Sequence, residues 1–542
     1  VNMLQRAQIR NWLGEIPFAA DVYWMLRQRN RPRREHFSME RLRQALPRAR
    51  QIVEPLARAA SPGKEVLFFA TLHYWIEQAS LISLVLAAYG HRVTLMTLPY
   101  AEWHYRVDKF TQRQRLLYTR HLLAALEPLV SHQPMPELRA LPPLPAALQE
   151  AVEEVTQWDL QYTLMQEEID LTSPHHQALL ELRRERNTFA ARAALGWMEA
   201  KRPQGVIIPN GLILEMGAVF RAARFLGIPT VTFEFNDQRE QIWLAYNSPI
   251  MQQDTDPFWP IWRQKPLTEA MYQRLADLEN ARRGARVWGK SQRLWQYVSA
   301  QGGEVTRRQL GLDERPVVVL AANVLGDSLT LGRNLFAPSM SEWIRRTVRY
   351  FAGRPQAQLV IRIHPGETLV PQAKSMASVV REALPDLPPH IHLVQAADKI
   401  NTYDLLEIAD LVLTYTTTVG LEAAMNGVPV LVCGKTHYRG RGFTLDPTSW
   451  EEYFTLLDRI LAAPRNFRLD EAQRALAWTY AYHFFFDYPR PFPWRLLHFW
   501  EDLKVWPVER VLSAEGRARF GPVFQMLTEP QKMLEAETVG SL

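Results

Sequence analysis

The chain has a single cysteine, Cys433, among 542 residues, which excludes an intramolecular disulfide framework and any zinc site built on grouped cysteines. It also lacks a long apolar run. The longest, residues 81–89, stops far short of the roughly 20 residues that cross a bilayer as a helix. No basic stretch, apolar core and small-residue cleavage site follow one another at its start, so no export signal is read. These absences fit a reducing compartment, and the expected location is cytoplasmic, at most peripheral at the inner face of the cell membrane. Charge imbalance is slight as well. The net charge of +6 is a mild excess for this length, and no recognised nucleic-acid module accompanies it, so nucleic acid is not an expected partner. Part of the excess sits at Arg27, Arg29, Arg31, Arg33 and Arg34, downstream of the aromatic-bearing residues 12–18. Basic residues beside exposed aromatics can touch anionic lipid, although charge runs more often mark a solvated face.

What is present is enough apolar material, 47% of residues, for two cores, and single cores stop growing near roughly 250–300 residues. Residues 1–60 read as charged helices broken at Pro47 and Pro55. From Glu65 the pattern changes. An apolar run at 66–70, helical periodicity over 75–89, a stop at Gly90 and a second run at 92–97 make a βαβ unit, which requires parallel pairing. Residues 108–200 look mainly helical, with a proline-rich interruption at 134–145. The α/β rhythm resumes with strands at 205–208 and 229–234 around a helix at 212–225, and a polar, Arg- and Gln-rich connection spans 254–308. The second half is punctuated more clearly, with strands at 317–321, 359–363, 392–394, 411–414 and 428–432. Helices are expected at 340–351, 371–384, 402–408 and 418–426, and beyond about 465 the chain reads as an aromatic helical tail. The fold class is α/β: two Rossmann-like, doubly wound domains facing a cleft, with extra N-terminal helices and a helical tail.

Chemistry concentrates in the second half. The strand 411–414 ends in Thr416, Thr417 and Thr418, and a helix follows at once with Gly420 and Glu422. Unpaired amides and hydroxyls at such a junction suit phosphate. Gly420 is read as making room for a ligand, and Glu422 as favouring the helix dipole or receiving a sugar hydroxyl. An ordinary N-cap at Thr418 explains the same residues, but the carboxyl end of a strand in an open α/β sheet is where ligands bind. The second constellation is Ile361-Arg362-Ile363-His364-Pro365-Gly366-Glu367. Alternation puts Arg362 and His364 on one face, and an imidazole at a strand tip can donate to a departing phosphate. Asn323, Asp327 and Ser328, after the strand 317–321, either face the same crevice or form a turn. Lys435, after the last strand, either meets a donor phosphate or is solvated.

Taken together, Ile-Arg-Ile-His-Pro, the run Ala409-Asp410-Leu411-Val412-Leu413-Thr414, the run Thr418-Val419-Gly420-Leu421-Glu422-Ala423-Ala424 with Gly427-Val428-Pro429-Val430, and a Gly434-Lys435 pair before Tyr438 resemble the bacterial capsule polysaccharide biosynthesis family, which includes Kdo transferases. The resemblance covers residues 200–465 and is most specific over 359–440. It implies a GT-B, metal-independent glycosyltransferase in which His364 and Pro365, with Thr416, Thr417 and Thr418, hold a nucleotide phosphate; threonines stand where the family often has serine. The implied division is a helical extension (1–60), an acceptor domain (61–250), a connector (251–308), a nucleotide-sugar-binding domain (309–465) and a tail crossing between them (466–542).

A catalytic base is expected from the first half. Glu234, at the end of a buried strand, is the first candidate, with Asp237 beside it and His73 as the second; Asn210-Gly211 is expected to shape the acceptor site. A carboxylate at a strand end also serves as a cap or as an ion-pair partner, here of Arg239. Asp254-Thr255-Asp256 has the spacing of a metal pair but lies in the connector, and His175-His176 has no matching ligands, so neither metal nor cofactor is expected. The expected partners are a CMP- or other NDP-linked sugar and a glycan or lipid-linked acceptor, joined by inverting displacement. A sugar-nucleotide epimerase, a polyol-phosphate transferase and a non-catalytic nucleotide-binding component of an assembly complex remain open alternatives.

Overall fold

The computed structural model describes residues 3–28, 37–235, 238–287, 297–370 and 374–539. Among these residues twelve strands run β1 (Glu65–Thr71), β2 (Arg92–Leu98), β3 (Val130–Pro134), β4 (Gly205–Pro209), β5 (Thr230–Phe235), β6 (Gln241–Tyr246), β7 (Val317–Ala321), β8 (Gln358–Arg362), β9 (Ile391–Val394), β10 (Leu411–Thr414), β11 (Val430–Val432) and β12 (Arg490–Pro491). They form two sheets, ordered β12-β6-β5-β4-β1-β2-β3 and β11-β10-β7-β8-β9. In each, the first strand is central; the chain builds outward on one side, then returns to build on the other. The second sheet is parallel throughout, and the first is parallel except where β6 and β12 extend its edge. Parallel sheets are covered on both faces by their crossover helices, and β4, β7 and β8 are accordingly buried at every position. This is the GT-B architecture, with N-terminal and C-terminal helices added.

Several elements depart from the sequence expectation. Pro47 and Pro55 do not break the N-terminal helix, which runs Glu40–Ala59 through both. A helix-interior proline costs about 3 kcal/mol. Here it is offset by the stripe Leu42, Leu46, Ala49 and Val53, all buried against the helix His73–Ala88, whose residues from Trp75 onward are themselves buried. The segment read as mainly helical contains β3, paired with β2, where Thr97 Oγ1 is hydrogen-bonded to His132 at 2.9 Å. Strand β6 also went unread, because a single antiparallel edge strand carries no βα punctuation.

The halves are joined at definite points. The Glu167 carboxylate of the first half accepts from the Met340 and Ser341 amides at 3.1 and 2.7 Å, capping the helix Met340–Ala352 of the second. Buried Arg333 donates to Lys435 O at 2.9 Å and to Met251 O at 3.0 Å. The tail starts on the second half, where Trp478 Nε1 donates to Met425 O at 3.0 Å. It finishes on the first, where Lys64 donates to Thr528 O at 3.1 Å.

Inside the first half, Arg183 is fully buried between Asp159 at 3.1 Å and Glu215 at 3.0 Å, and it donates to Asn187 Oδ1 and Trp103 O at 3.1 Å each. Asp159 also accepts from the amide of Leu214, whose φ of 57° places a branched side chain in the left-handed region. This cluster therefore fixes the turn after β4. Exchanging Arg183 for Met leaves two carboxylates buried without their cation, which costs about 3–5 kcal/mol. The Arg183→Met midpoint in urea is expected to fall accordingly, and an unchanged midpoint contradicts the assignment.

Candidate active site

In an open α/β sheet the crevice lies at the carboxyl edge, where the strand order reverses. In the first sheet that point is between β1 and β4, and in the second between β7 and β10. The loops leaving β7 and β10 are tied directly, since the Thr416 amide donates to Asn323 Oδ1 at 3.2 Å. A cavity of about 440 Å³ opens there. Asn323, Asp327, Arg362, His364, Pro365, Thr416, Thr417, Thr418 and Glu422 all line it, so the structure brings together most of the residues proposed from sequence for the second half.

Donor groups dominate this wall. Arg362 ends β8 and donates Nη1 to Gln395 O at 2.5 Å, while its Nε is buried with no partner. Burial lowers its pKa to about 10, so it stays charged at neutral pH. His364 Nδ1 accepts the Gly366 amide at 3.0 Å, which leaves the ring proton on Nε2. Thr416 Oγ1 is buried without a partner. Thr417 Oγ1 accepts the Val419 amide at 3.4 Å, and Thr418 makes no side-chain cap, so the alternative reading of Thr418 as an ordinary N-cap does not hold. The helix it precedes, Val419–Met425, has only seven residues. Its dipole is correspondingly short, so the donors on this wall are chiefly the hydroxyls, Arg362 and His364.

Several expected roles are corrected. Gly420 does not clear space for a ligand: a Cβ there would lie 2.3 Å from the Tyr438 hydroxyl, which instead donates to Thr417 O at 2.7 Å and braces the threonine loop from behind. Glu422 is already engaged, accepting from Arg282 Nη1 at 2.8 Å and Tyr403 OH at 3.0 Å. Lys435 is exposed and absent from the cavity lining; its backbone is held by Arg333. Asp327 turns its own loop by accepting the Leu329 amide at 2.8 Å, and burial raises its carboxyl above the usual range. His73 packs beside Phe37 and Tyr74, outside the cavity lining. Asp237 lies outside the described residues.

Glu234 ends β5 and is 6% exposed. Its partners are Asn210 Nδ2 at 3.0 Å and the Phe235 amide at 3.2 Å, rather than Arg239. Burial pushes its carboxyl up to about 7, against the smaller lowering effects of those two donors. Glu234, Asn210 and Gly211 are all buried and none of them is part of the cavity lining; the contribution of the β5–β6 pair to that lining is Trp243. Asn210, at φ 58°, orients Glu234 and also accepts the Leu212 amide at 3.1 Å. Gly211 is required because a Cβ would meet Thr232 at 2.5 Å. Across the antiparallel pair, Glu234 stands opposite Trp243, which does line the cavity. Among the described residues no cluster of three or more His, Cys, Asp or Glu that could hold a metal is found.

Residues 272–459 match the family model described as capsule polysaccharide biosynthesis protein. The match spans about a third of the chain. No curated protein matches the chain. Among solved structures, the chain is similar to the Thermosulfurimonas dismutans KpsC β-Kdo 2,4 transferase, at 18% identity over 52% of this chain and 80% of that one, with a TM-score of 0.32. It is similar to the Thermosulfurimonas dismutans KpsC β-Kdo 2,7 transferase at 14% over 53% and 79%, TM-score 0.30. To the Neisseria meningitidis UDP-GlcNAc 2-epimerase bound to UDP-GlcNAc, the figures are 13% over 78% and 99%, TM-score 0.24. At these identities and TM-scores none of them bears on the reaction.

Sequence reasoning missed Arg282, Tyr403, Trp243 and the tail residues Phe484, Phe485 and Pro489, all of which line the cavity. Arg282 lay in a stretch read only as a connection, and no local motif marks the others.

The raised carboxyl of Glu234 makes stability depend on pH with a definite sign. Between the ordinary value of 4.5 and about 7, the native state keeps a proton that the unfolded chain has released. That contribution is complete below about 4.5 and is lost as pH rises through about 7, reaching on the order of 3 kcal/mol. Urea midpoints of the native protein and of Glu234→Gln, taken at both ends of this window, are expected to shift against the native protein at the higher pH. Parallel midpoints contradict the burial argument.

Proposed function

We propose that this protein transfers a sugar from a nucleotide-linked donor to a hydroxyl of a glycan or lipid-linked acceptor in the synthesis of a surface polysaccharide. One observation carries the reading. A wall of the second domain rich in donors (Arg362, His364 and the threonine hydroxyls) shares a cleft with a strand of the first half whose partner ends in a buried carboxyl titrating near neutrality. The family match over the second domain supports it.

In the reaction, the Glu234 carboxylate takes the proton of the acceptor hydroxyl, and that oxygen attacks the anomeric carbon. The bond from this carbon to the phosphate oxygen breaks with its electron pair going to the nucleotide, and a single displacement inverts configuration. His364 Nε2–H, Arg362 and the hydroxyls of Thr416, Thr417 and Thr418 stabilise the departing phosphate, without metal or cofactor; the donor is CMP- or NDP-linked. A lipid-linked acceptor places the protein at the inner face of the membrane. Among the described residues no helix is long and apolar enough to cross it. Contact falls to the N-terminal helices, where Trp12 and Phe18 are 64% and 71% exposed; Arg29, Arg31, Arg33 and Arg34 lie outside the described residues.

Thermal unfolding in the presence of CMP-, CDP-, UDP-, GDP- and TDP-linked sugars identifies the donor, since a ligand held by the native state raises its stability. Glu234→Gln is expected to keep the shift while kcat falls about 10²–10⁴-fold, whereas His364→Ala reduces both. With the wild type, the log of kcat/KM is expected to rise with pH up to a limb near 7, as the carboxyl loses its proton. A Glu234→Gln enzyme turning over at the wild-type rate refutes the base assignment, and conversion of the donor without any acceptor would mark an epimerase.

A further inference from the structure

The cavity has two chemically different sides. Among its described lining residues, every charged side chain (Arg282, Asp327, Arg362, Asp398 and Glu422) comes from the connector or the second domain. The residues from the first half, the start of the connector and the tail are Gln238, Trp243, Gln253, Phe484, Phe485 and Pro489, and none of them ionises. Their geometry is held in place. Gln238 Nε2 donates to Phe485 O at 2.7 Å, which ties the first half to the tail across this wall. Phe484 stacks on the His437 ring at 3.8 Å between centroids, nearly parallel at 9°. The Arg282 guanidinium lies 4.3 Å from the Phe485 ring centroid and is ion-paired with Glu422. Arg282, which reaches this wall, is therefore already paired. Trp243 stands directly opposite Glu234 in the β5–β6 pair, so its ring and the carboxyl share one face of the sheet.

We infer that this aromatic and amide wall is an acceptor subsite, centred on Trp243, for an uncharged pyranose at the growing end of the acceptor. The inference rests on the transferase reading given above and adds to it the chemical class of the acceptor sugar. Ring carbons of a pyranose present an apolar C–H face, which an indole can cover, while amides take the hydroxyls; such pockets are mostly apolar with a few placed polar groups. An acidic sugar fits poorly. Among the described residues of this wall none is cationic and Arg282 beside it is already paired with Glu422, so the sugar's carboxylate would leave water without compensation, and it would lie on the same side as Glu234, where a second negative charge further disfavours ionisation of the base.

Saturation-transfer NMR on the full chain tests this with methyl β-glucopyranoside and methyl β-galactopyranoside as probes, each against its 6-carboxylate counterpart. Transfer to the ring protons of a neutral glycoside is expected, with the matching uronate bound at least tenfold more weakly. Trp243→Ala is expected to abolish the transfer and Trp243→Phe to retain most of it, while both variants keep the wild-type thermal shift with nucleotide sugars, which shows that they fold. Absence of transfer from both neutral glycosides, equal or tighter binding of the uronates, or undiminished transfer in Trp243→Ala each overturns the subsite. A wild-type protein that binds the glycosides but no nucleotide sugar would instead overturn the transferase reading.

Discussion

Parallel pairing delivers the carboxyl ends of successive strands to one edge of a sheet, and the reversal of strand order beside the first strand sends the two neighbouring crossovers to opposite faces. A crevice is left between them, with backbone groups that no crossover covers. Both halves of this chain obey that constraint, at β1/β4 and at β7/β10. The turn at Asn210 and the threonine loop both sit at such points. The Asn323–Thr416 hydrogen bond and the buried Asp159–Arg183 cluster are what the fold supplies to keep the two turns in place.

Desolvation then acts with opposite chemical outcomes on the two sides. On the second domain it lowers Arg362 only to about 10, so the cation persists and its field is little screened. At the end of β5 it raises Glu234 to about 7, because the donors it meets, Asn210 and the Phe235 amide, are neutral. A carboxyl titrating near neutrality and fixed hydrogen-bond donors are what displacement of a phosphate leaving group by a hydroxyl requires. Glu422 shows the contrasting case: equally buried, but with Arg282 at 2.8 Å its charge is matched, and it serves the architecture of the cleft.

Much of the fold was legible because its second half is punctuated by short buried strands, helix starts and Gly stops. The helices found at Thr402–Ile408 and Val419–Met425 fall within a residue of the sequence reading. Strand β3, with only five residues inside a helical stretch, and β6, an antiparallel addition, carry no such punctuation. Pro47 and Pro55 misled because local propensity was overridden by a packed stripe on the same helix. In the site, the residues at strand tips could be read because period-2 alternation fixes where they point. Gly420 and Glu422 could not be assigned correctly, since their partners, Tyr438 and Arg282, approach from other segments. Trp243, Phe485 and Pro489 form one wall only through tertiary packing, and nothing in the linear order announces it.

The central claim is that the second domain's cleft wall receives the anionic end of a nucleotide. A crystal structure of the complex with whichever nucleotide sugar most raises the melting temperature tests it most directly. The account expects phosphate oxygens within hydrogen-bonding distance of His364 Nε2 and of hydroxyls in residues 416–418, with the sugar directed towards Glu234. Phosphate bound elsewhere, or a nucleotide whose sugar faces away from β5, would contradict it.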